Sequence, residues 1–331
     1  MFSRKSFSSV FLAAAISAVY VTPASSALIS GTLYYTNYTG GQNVNNITYS
    51  YNDVTHTFGL GAANNLASTN GADGIIFAPN GNLLIGGQGS GNVYEVNPNN
   101  GNVVNTQFTG NSSFHLTLNP NGNSVYTSDF GGALHTLSLP IGSGSATQSI
   151  TGNERGLTQI AFGNNGAVFY VNGNPNGFGN LGTIDLSTGV TTQLHSGVQP
   201  AHGLIYDPFT DLITMFGAGK TGTMNATNGS GLLTSGGIFQ VSDFDQGAVD
   251  GKGHALVAGS NAITFIDYSI SHDITHPDFT TTRFGFNGID DVAPLTGAGS
   301  NPNPNPVPEP GTIALLGLGL AGLYFSRRKQ A

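Results

Sequence analysis

The sequence predicts an all-β fold, a β-propeller of six four-stranded blades. Three observations predict it: a composition of turn formers with little charge, hairpins that recur at one interval, and an incomplete unit at each end of the repeating region.

Only 8% of the 331 residues are charged, while 49 are Gly. Long solvent-facing helices need Glu, Lys, Arg and Ala, so this balance favours short strands joined by tight turns. A hydrophobic content of 38% is enough for a core. The chain has no Cys, which excludes disulfides and thiolate metal sites. Arg4, Lys5, Arg327, Arg328 and Lys329 lie at the extreme ends, leaving Arg155, Lys220, Lys252 and Arg283 as the only cations between them. The middle is therefore acidic and would repel nucleic acid.

The repeat is visible where GADGIIFAPNGNLLIGGQGSGNVYEVNPNNGNVVNTQFTG, from Gly71, is laid over SSFHLTLNPNGNSVYTSDFGGALHTLSLP, from Ser112: Pro79 and Pro120 of the two PNGN turns stand 41 residues apart. The frame continues through Gly156, His202 and Asp245, with turns at Asn165, Thr210 and Lys252. In the unit from Gly71 the apolar runs Ile75–Phe77, Leu83–Ile85, Val93–Val96 and Val103–Phe108 are separated by Gly, Asn and Pro, and Asn-Gly between apolar runs is a strong hairpin signal. Four antiparallel strands at this interval describe a propeller blade, similar to those of the WD, YVTN and NHL families, although the chain has no Trp.

Closure follows from the ends of the body. Gly31 to Gly61 supplies matches to a second, third and fourth strand but no first, and GIDDVAPL, Gly288 to Leu295, can supply it. A blade shared between the termini removes the open sheet edges. Within the fifth unit, Gly219 to Gly237 is rich in Gly, Thr and Asn and reads as an insertion between the second and third strands.

The body, residues 28–295, lies between two address segments. Residues 1–27 carry a basic start, an apolar run from Val10 to Val21, and small residues Ser25 and Ala27 before a cleavage point, the pattern of a secretory signal peptide. Residues 296–306 alternate Gly, Asn and Pro and read as an extended stalk. Residues 307–331 hold an apolar segment, Gly311 to Phe325, followed by cations, which reads as a short transmembrane helix with its positive end cytoplasmic.

The tail VPEPGTIALLGLGLAGLYFSRRK resembles the PEP-CTERM sorting signal, with Pro308, Glu309 and Pro310 before the apolar run and Arg327 and Arg328 after it. The resemblance implies processing by signal peptidase and then by an exosortase-type membrane protease. It also implies a Gram-negative bacterium making extracellular polysaccharide, and an inner-membrane intermediate that ends at the cell surface or outside it.

In a propeller the first strand of each blade lines the channel, so residues at the starts of those strands meet at one mouth. Asp73, His202 and Asp245 align there, with His115 and Asp290 within a residue or two. Imidazole and carboxylate can hold a divalent cation such as Ca²⁺ or activate water. Six-bladed gluconolactonase and regucalcin propellers are similar in using a channel metal, but this chain shows no Glu or Asn pattern matching theirs. Asp and His also cap turns at strand entries. Asp207 with Asp211, and Asp243 with Asp245 and Asp250, lack regular Ca²⁺-loop spacing and read as solvated surface. Tyr34, Tyr35, Tyr38, Tyr49 and Tyr51 could stack on sugars or pack between sheets. Asn-X-Ser/Thr sequences, as at Asn37, are frequent by chance in this composition.

No GxSxG elbow, P-loop or HExxH helix appears in the body. The preferred reading is a non-enzymatic binder of glycan or protein at the cell surface or in the extracellular matrix. Its rival is a metal-dependent propeller enzyme, a lactonase or lyase, using His202, Asp73, Asp245 and His115.

Overall fold

The computed structural model describes residues 28–39, 43–236 and 239–303. These form six antiparallel sheets around a channel, and the single helical element among them is a one-turn 3-10 helix at Asn164–Gly166. The expected signal peptide, the sorting motif and the apolar segment Gly311 to Phe325 lie outside the described residues. Among the described residues no helix is long and apolar enough to cross a membrane.

The innermost strands, from blade 1 to blade 6, are Ile289–Val292, Ile75–Phe77, Leu116–Leu118, Gln159–Phe162, Gly203–Asp207 and Phe244–Val249. Blade 1 closes the ring as expected: Ile289–Val292 pairs antiparallel with Leu28–Asn37, followed outward by Val44–Asn52 and Thr57–Ala67. In blade 4 a short outermost strand, Thr151–Gly152, adds a fifth member by parallel pairing.

Adjacent blades are held by apolar side chains that alternate toward the facing sheet. Between blades 6 and 1, Leu33, Tyr49, Tyr51 and Phe58 pack with Leu256, Ile263 and Phe265, and the Tyr51 and Phe265 ring centroids are 4.2 Å apart. Of the five tyrosines considered for sugar stacking, Tyr35, Tyr49 and Tyr51 are buried and Tyr34 meets Phe77 edge to face at 5.0 Å; Tyr38 alone is exposed.

The expected insertion in blade 5 is corrected. Gly219 to Gly237 contains that blade's third and fourth strands, Lys220–Asn225 and Leu233–Thr234. The run lacks aliphatic alternation because Thr does that work: Thr221 and Thr223 are buried, and the Thr221 hydroxyl donates to the Ile274 carbonyl at 2.9 Å. A β-branched hydroxyl residue fits a pleated surface once its hydroxyl is satisfied.

The stalk also differs from expectation. Residues 294–303 cross the channel mouth at the ends of the inner strands. The Phe77 N–H donates to the Gly299 carbonyl at 2.7 Å, and Pro294 and Gly299 are buried. Beneath this strap lies a mainly apolar cavity of about 310 Å³, lined by Leu118, Ile160, Leu204, Gln246 and Pro294 among others.

Candidate functional site

The opposite mouth, at the starts of the inner strands, gathers every residue singled out for it. Asp73 stands two residues before its strand, His115 and His202 immediately before theirs, and Asp245 and Asp290 one residue inside. His202 Nε2 lies 2.8 Å from Asp245 Oδ1 and 3.2 Å from His115 Nε2, which is 3.7 Å from the same Asp245 oxygen. Behind His115, Nδ1 meets Asp291 Oδ2 at 2.7 Å, and Asp73 Oδ1 is 3.9 Å away. The Gln88 amide donates to Asp73 at 3.5 Å and to Asp290 at 3.4 Å, tying two carboxylates together.

Asp291 was missed because strict strand alternation sends neighbours to opposite faces. The closing strand breaks that alternation: Tyr35 pairs with Val292 but Asn37 with Ile289, so one extra residue is accommodated opposite Thr36. A bulge of this kind re-aims side chains. The Asp291 N–H donates to the Thr36 hydroxyl at 3.1 Å. Blade 6 uses the same device, since Phe244 pairs with Gly259 and Gly247 with Val257, with the extra residue at Asp245 or Gln246. Gly203 makes room for this second bulge: a Cβ there would meet the Asp245 carbonyl oxygen at 2.6 Å and Gln246 Cα at 3.0 Å.

The electrostatics follow from burying four carboxylates beside two imidazoles. Burial pushes Asp73 up to about 7, against the attraction of His115 and with Asp291 and Asp245 adding to the rise. Burial works against the charged form of His115, yet the Asp291 carboxylate beside it prevails, with Asp73 and Asp245 behind, and raises it to about 10. Asp245 also pays for its burial, but His202 and His115 hold it down at about 2. Asp290 is held well above the carboxylate range by burial and by the neighbouring Asp73 and Asp245. Asp73 Oδ1, Asp245 Oδ1 and Asp291 Oδ1 are buried and accept no hydrogen bond.

The cluster opens into a cavity of about 310 Å³ lined by Asp73, His202, Asp245 and Asp290, with Phe130, Phe178, Asn172 and Asn174 around it. Phe178 is 65% exposed at the rim. Phe130 lies beside the His115 ring, centroids 5.7 Å apart, and is itself stacked on Phe114 at 4.0 Å.

The other acidic groups do not join it. Asp207 accepts from the Phe209 N–H and the Tyr268 hydroxyl, and Asp211 from Asn164 and the Tyr206 hydroxyl. Asp243 accepts from Ser260, and Asp250 caps the turn to His254. The reading of these acids as solvated surface is corrected at two of them: Asp207 is fully buried against the Tyr268 hydroxyl, and Asp245 belongs to the channel cluster.

Residues 306–329 match the PEP-CTERM protein-sorting motif. Among curated protein sequences none matches the chain. Among solved structures, the nidogen/laminin complex is similar with TM-score 0.56 and 11% identity, over 80% of this chain and 97% of that one. A putative 6-phosphogluconolactonase from Bacteroides fragilis gives 0.53 and 13%, over 80% and 97%. A catalytically inactive virginiamycin B lyase from Staphylococcus aureus with quinupristin gives 0.51 and 10%, over 82% and 89%. Identities this low speak for the fold alone. The sorting motif marks an exported chain that passes through a C-terminally membrane-anchored intermediate, so this is an exosortase substrate whose body is a six-bladed β-propeller.

Proposed function

We propose that the body is a binding module of the Gram-negative cell surface or extracellular matrix, and that it engages its ligand at the His/Asp mouth. The observation that carries this reading is the separation of the two mouths. The strap that leads to the sorting motif covers one of them, and Leu28 begins a strand antiparallel to the inner strand of blade 1, so both ends of the body leave on the strap side. The mouth left free by the anchor is the one with the polar cavity.

The lining favours an uncharged, polyhydroxylated ligand such as a polysaccharide segment. Asn174 offers an exposed amide, Phe178 offers an exposed ring face, and the acidic body disfavours polyanions. The test is retention of the full chain on immobilised extracellular polysaccharide from a producing strain. Phe178→Ala and Asn174→Ala are expected to weaken retention about tenfold together, about 1.4 kcal/mol. Retention indifferent to both changes, or none by the unaltered chain, would sink the reading.

A second reading, an enzyme of the lyase or lactonase kind, draws on Asp73, whose value near 7 suits a general base at the cavity wall. Turnover of a lactone or polysaccharide that is lost in Asp73→Asn would favour it.

A further inference from the structure

We propose that His115, His202 and Asp245 form a three-ligand centre for one divalent transition metal ion, open toward the cavity at the channel mouth. It deepens the reading of that mouth as the ligand site and can be tested apart from it.

The first argument is the tautomer each ring must adopt. His202 Nδ1 faces the Gly173 carbonyl, which can only accept, so that nitrogen carries a proton. His115 Nδ1 faces the Asp291 carboxylate and donates to it. Both rings therefore turn Nε2 inward, and both Nδ1–H groups are held by an oxygen behind them. Metal-ligating imidazoles are oriented in this way, one here by a carboxylate and the other by a carbonyl.

The second argument is size. The triangle of His115 Nε2, His202 Nε2 and Asp245 Oδ1 has edges of 3.2, 2.8 and 3.7 Å. An ion with ligands at about 2.0 to 2.2 Å spans edges of about 2.8 to 3.6 Å between octahedral and tetrahedral geometry, which takes in two of the three edges and falls about 0.1 Å short of the third. The three atoms thus already surround a position of the right radius.

The third argument is unmet demand. Asp245 is only 9% exposed, and the polar groups facing its Oδ1 are the two imidazole Nε2 atoms, at 2.8 Å from His202 and 3.7 Å from His115. Among the described residues no Lys or Arg makes an ion pair with these carboxylates. The carboxylates are paired with the two imidazoles alone, and a divalent ion seated between them would add positive charge where the buried carboxylates converge.

Two imidazoles and one carboxylate suit Zn²⁺, Co²⁺, Fe²⁺ or Mn²⁺, whereas Ca²⁺ and Mg²⁺ take oxygen ligands. With three protein ligands the ion retains open positions, and Asp245 and His202 line the cavity from which a hydroxyl or carboxylate oxygen of a ligand could reach it.

The test uses the full chain in detergent, stripped with a chelator and titrated with Co²⁺, Zn²⁺ and Ca²⁺ separately. The expected result is about one Co²⁺ or Zn²⁺ per chain, with a visible Co²⁺ spectrum that Ca²⁺ does not abolish in tenfold excess. His202→Ala and Asp245→Asn should each weaken binding at least about 100-fold, and Asp291→Asn by about 10- to 100-fold through the His115 ring it orients. Asp185→Asn, on a turn remote from the mouth, should leave it unchanged. Should the variants not fold, the Co²⁺ form of the unaltered chain decides, because it must show two exchangeable, paramagnetically shifted imidazole N–H protons. No binding, displacement by Ca²⁺, or fewer than two such protons overturns the proposal. Polysaccharide retention measured on the same stripped sample reports separately on the binding module.

Discussion

The two mouths of the channel are built from the same six strands and have opposite chemistry. Where the strands begin, four carboxylates and two imidazoles converge, two strands are bulged, and the cavity is open. Where they end, Leu118, Phe162 and Tyr206 line a mainly apolar cavity and the chain's own strap lies across it. A propeller ring is closed by nonlocal pairing of its first and last strands, so its stability comes from between the blades and both mouths are free to diverge. Here one mouth has been given to the chain's exit and the other carries the polar residues.

The largest expected effect breaks the polar mouth through its backbone. In Gly203→Val the new side chain would collide with the Asp245 carbonyl and Gln246 Cα, neither of which can rotate away. We expect a loss of about 2 to 3 kcal/mol in denaturant unfolding, with ligand and metal binding lost together. Unfolding and binding both like those of the unaltered chain would show that the bulge does not depend on this close approach.

A second effect sharpens the comparison by pH. Asp73 and His115 both hold their protons more tightly folded than unfolded. Each contributes stability that is full below its ordinary value, 3.8 for Asp73 and 6.5 for His115, and that is lost as pH rises through about 7 and about 10 respectively. Asp245 runs the other way, its contribution being present above 3.8 and lost as pH falls toward about 2. In chelator, the melting temperature should therefore be highest near pH 4 and fall from there as pH rises toward about 10. His115→Gln should flatten that fall, and a fall of unchanged slope would remove His115 as its source.

Much of this was legible in the sequence. Asn-Gly turns and alternating Val, Ile and Leu mark strands through local physics, so the blade at Ile75–Phe108 and the closing role of GIDDVAPL could be read directly. The site was legible once the repeats were in phase, because strand starts in different blades meet whatever their separation along the chain. What escaped depends on exceptions to period two or on packing at a distance. Asp291 sits on a bulge that only the pairing with Tyr35 and Asn37 reveals. Lys220–Asn225 forms a strand with Thr where aliphatics are expected. The segment from 296 to 303 has the composition of a free stalk, and its docking depends on Ile76 and Phe77 more than 200 residues away.

The smallest expected effect tests whether the two mouths are independent. Gly299 has φ +85, in the left-handed region, and a Cβ there would stand 3.2 Å from Ile76 Cβ, tight enough to require a small shift of the strap. Gly299→Ala should cost about 1 kcal/mol in unfolding experiments. Ile76 lies on the same inner strand that Asp73 precedes, so any wider disturbance would travel to the cluster along blade 2. If the ring is rigid, the loss stays at the strap and binding at the His/Asp mouth is unchanged, because distant sites in a packed structure add independently. If binding weakens as well, the strap supports the inner strands, and removal of the sorting segment beyond it becomes a means of changing the site at the far end of the channel.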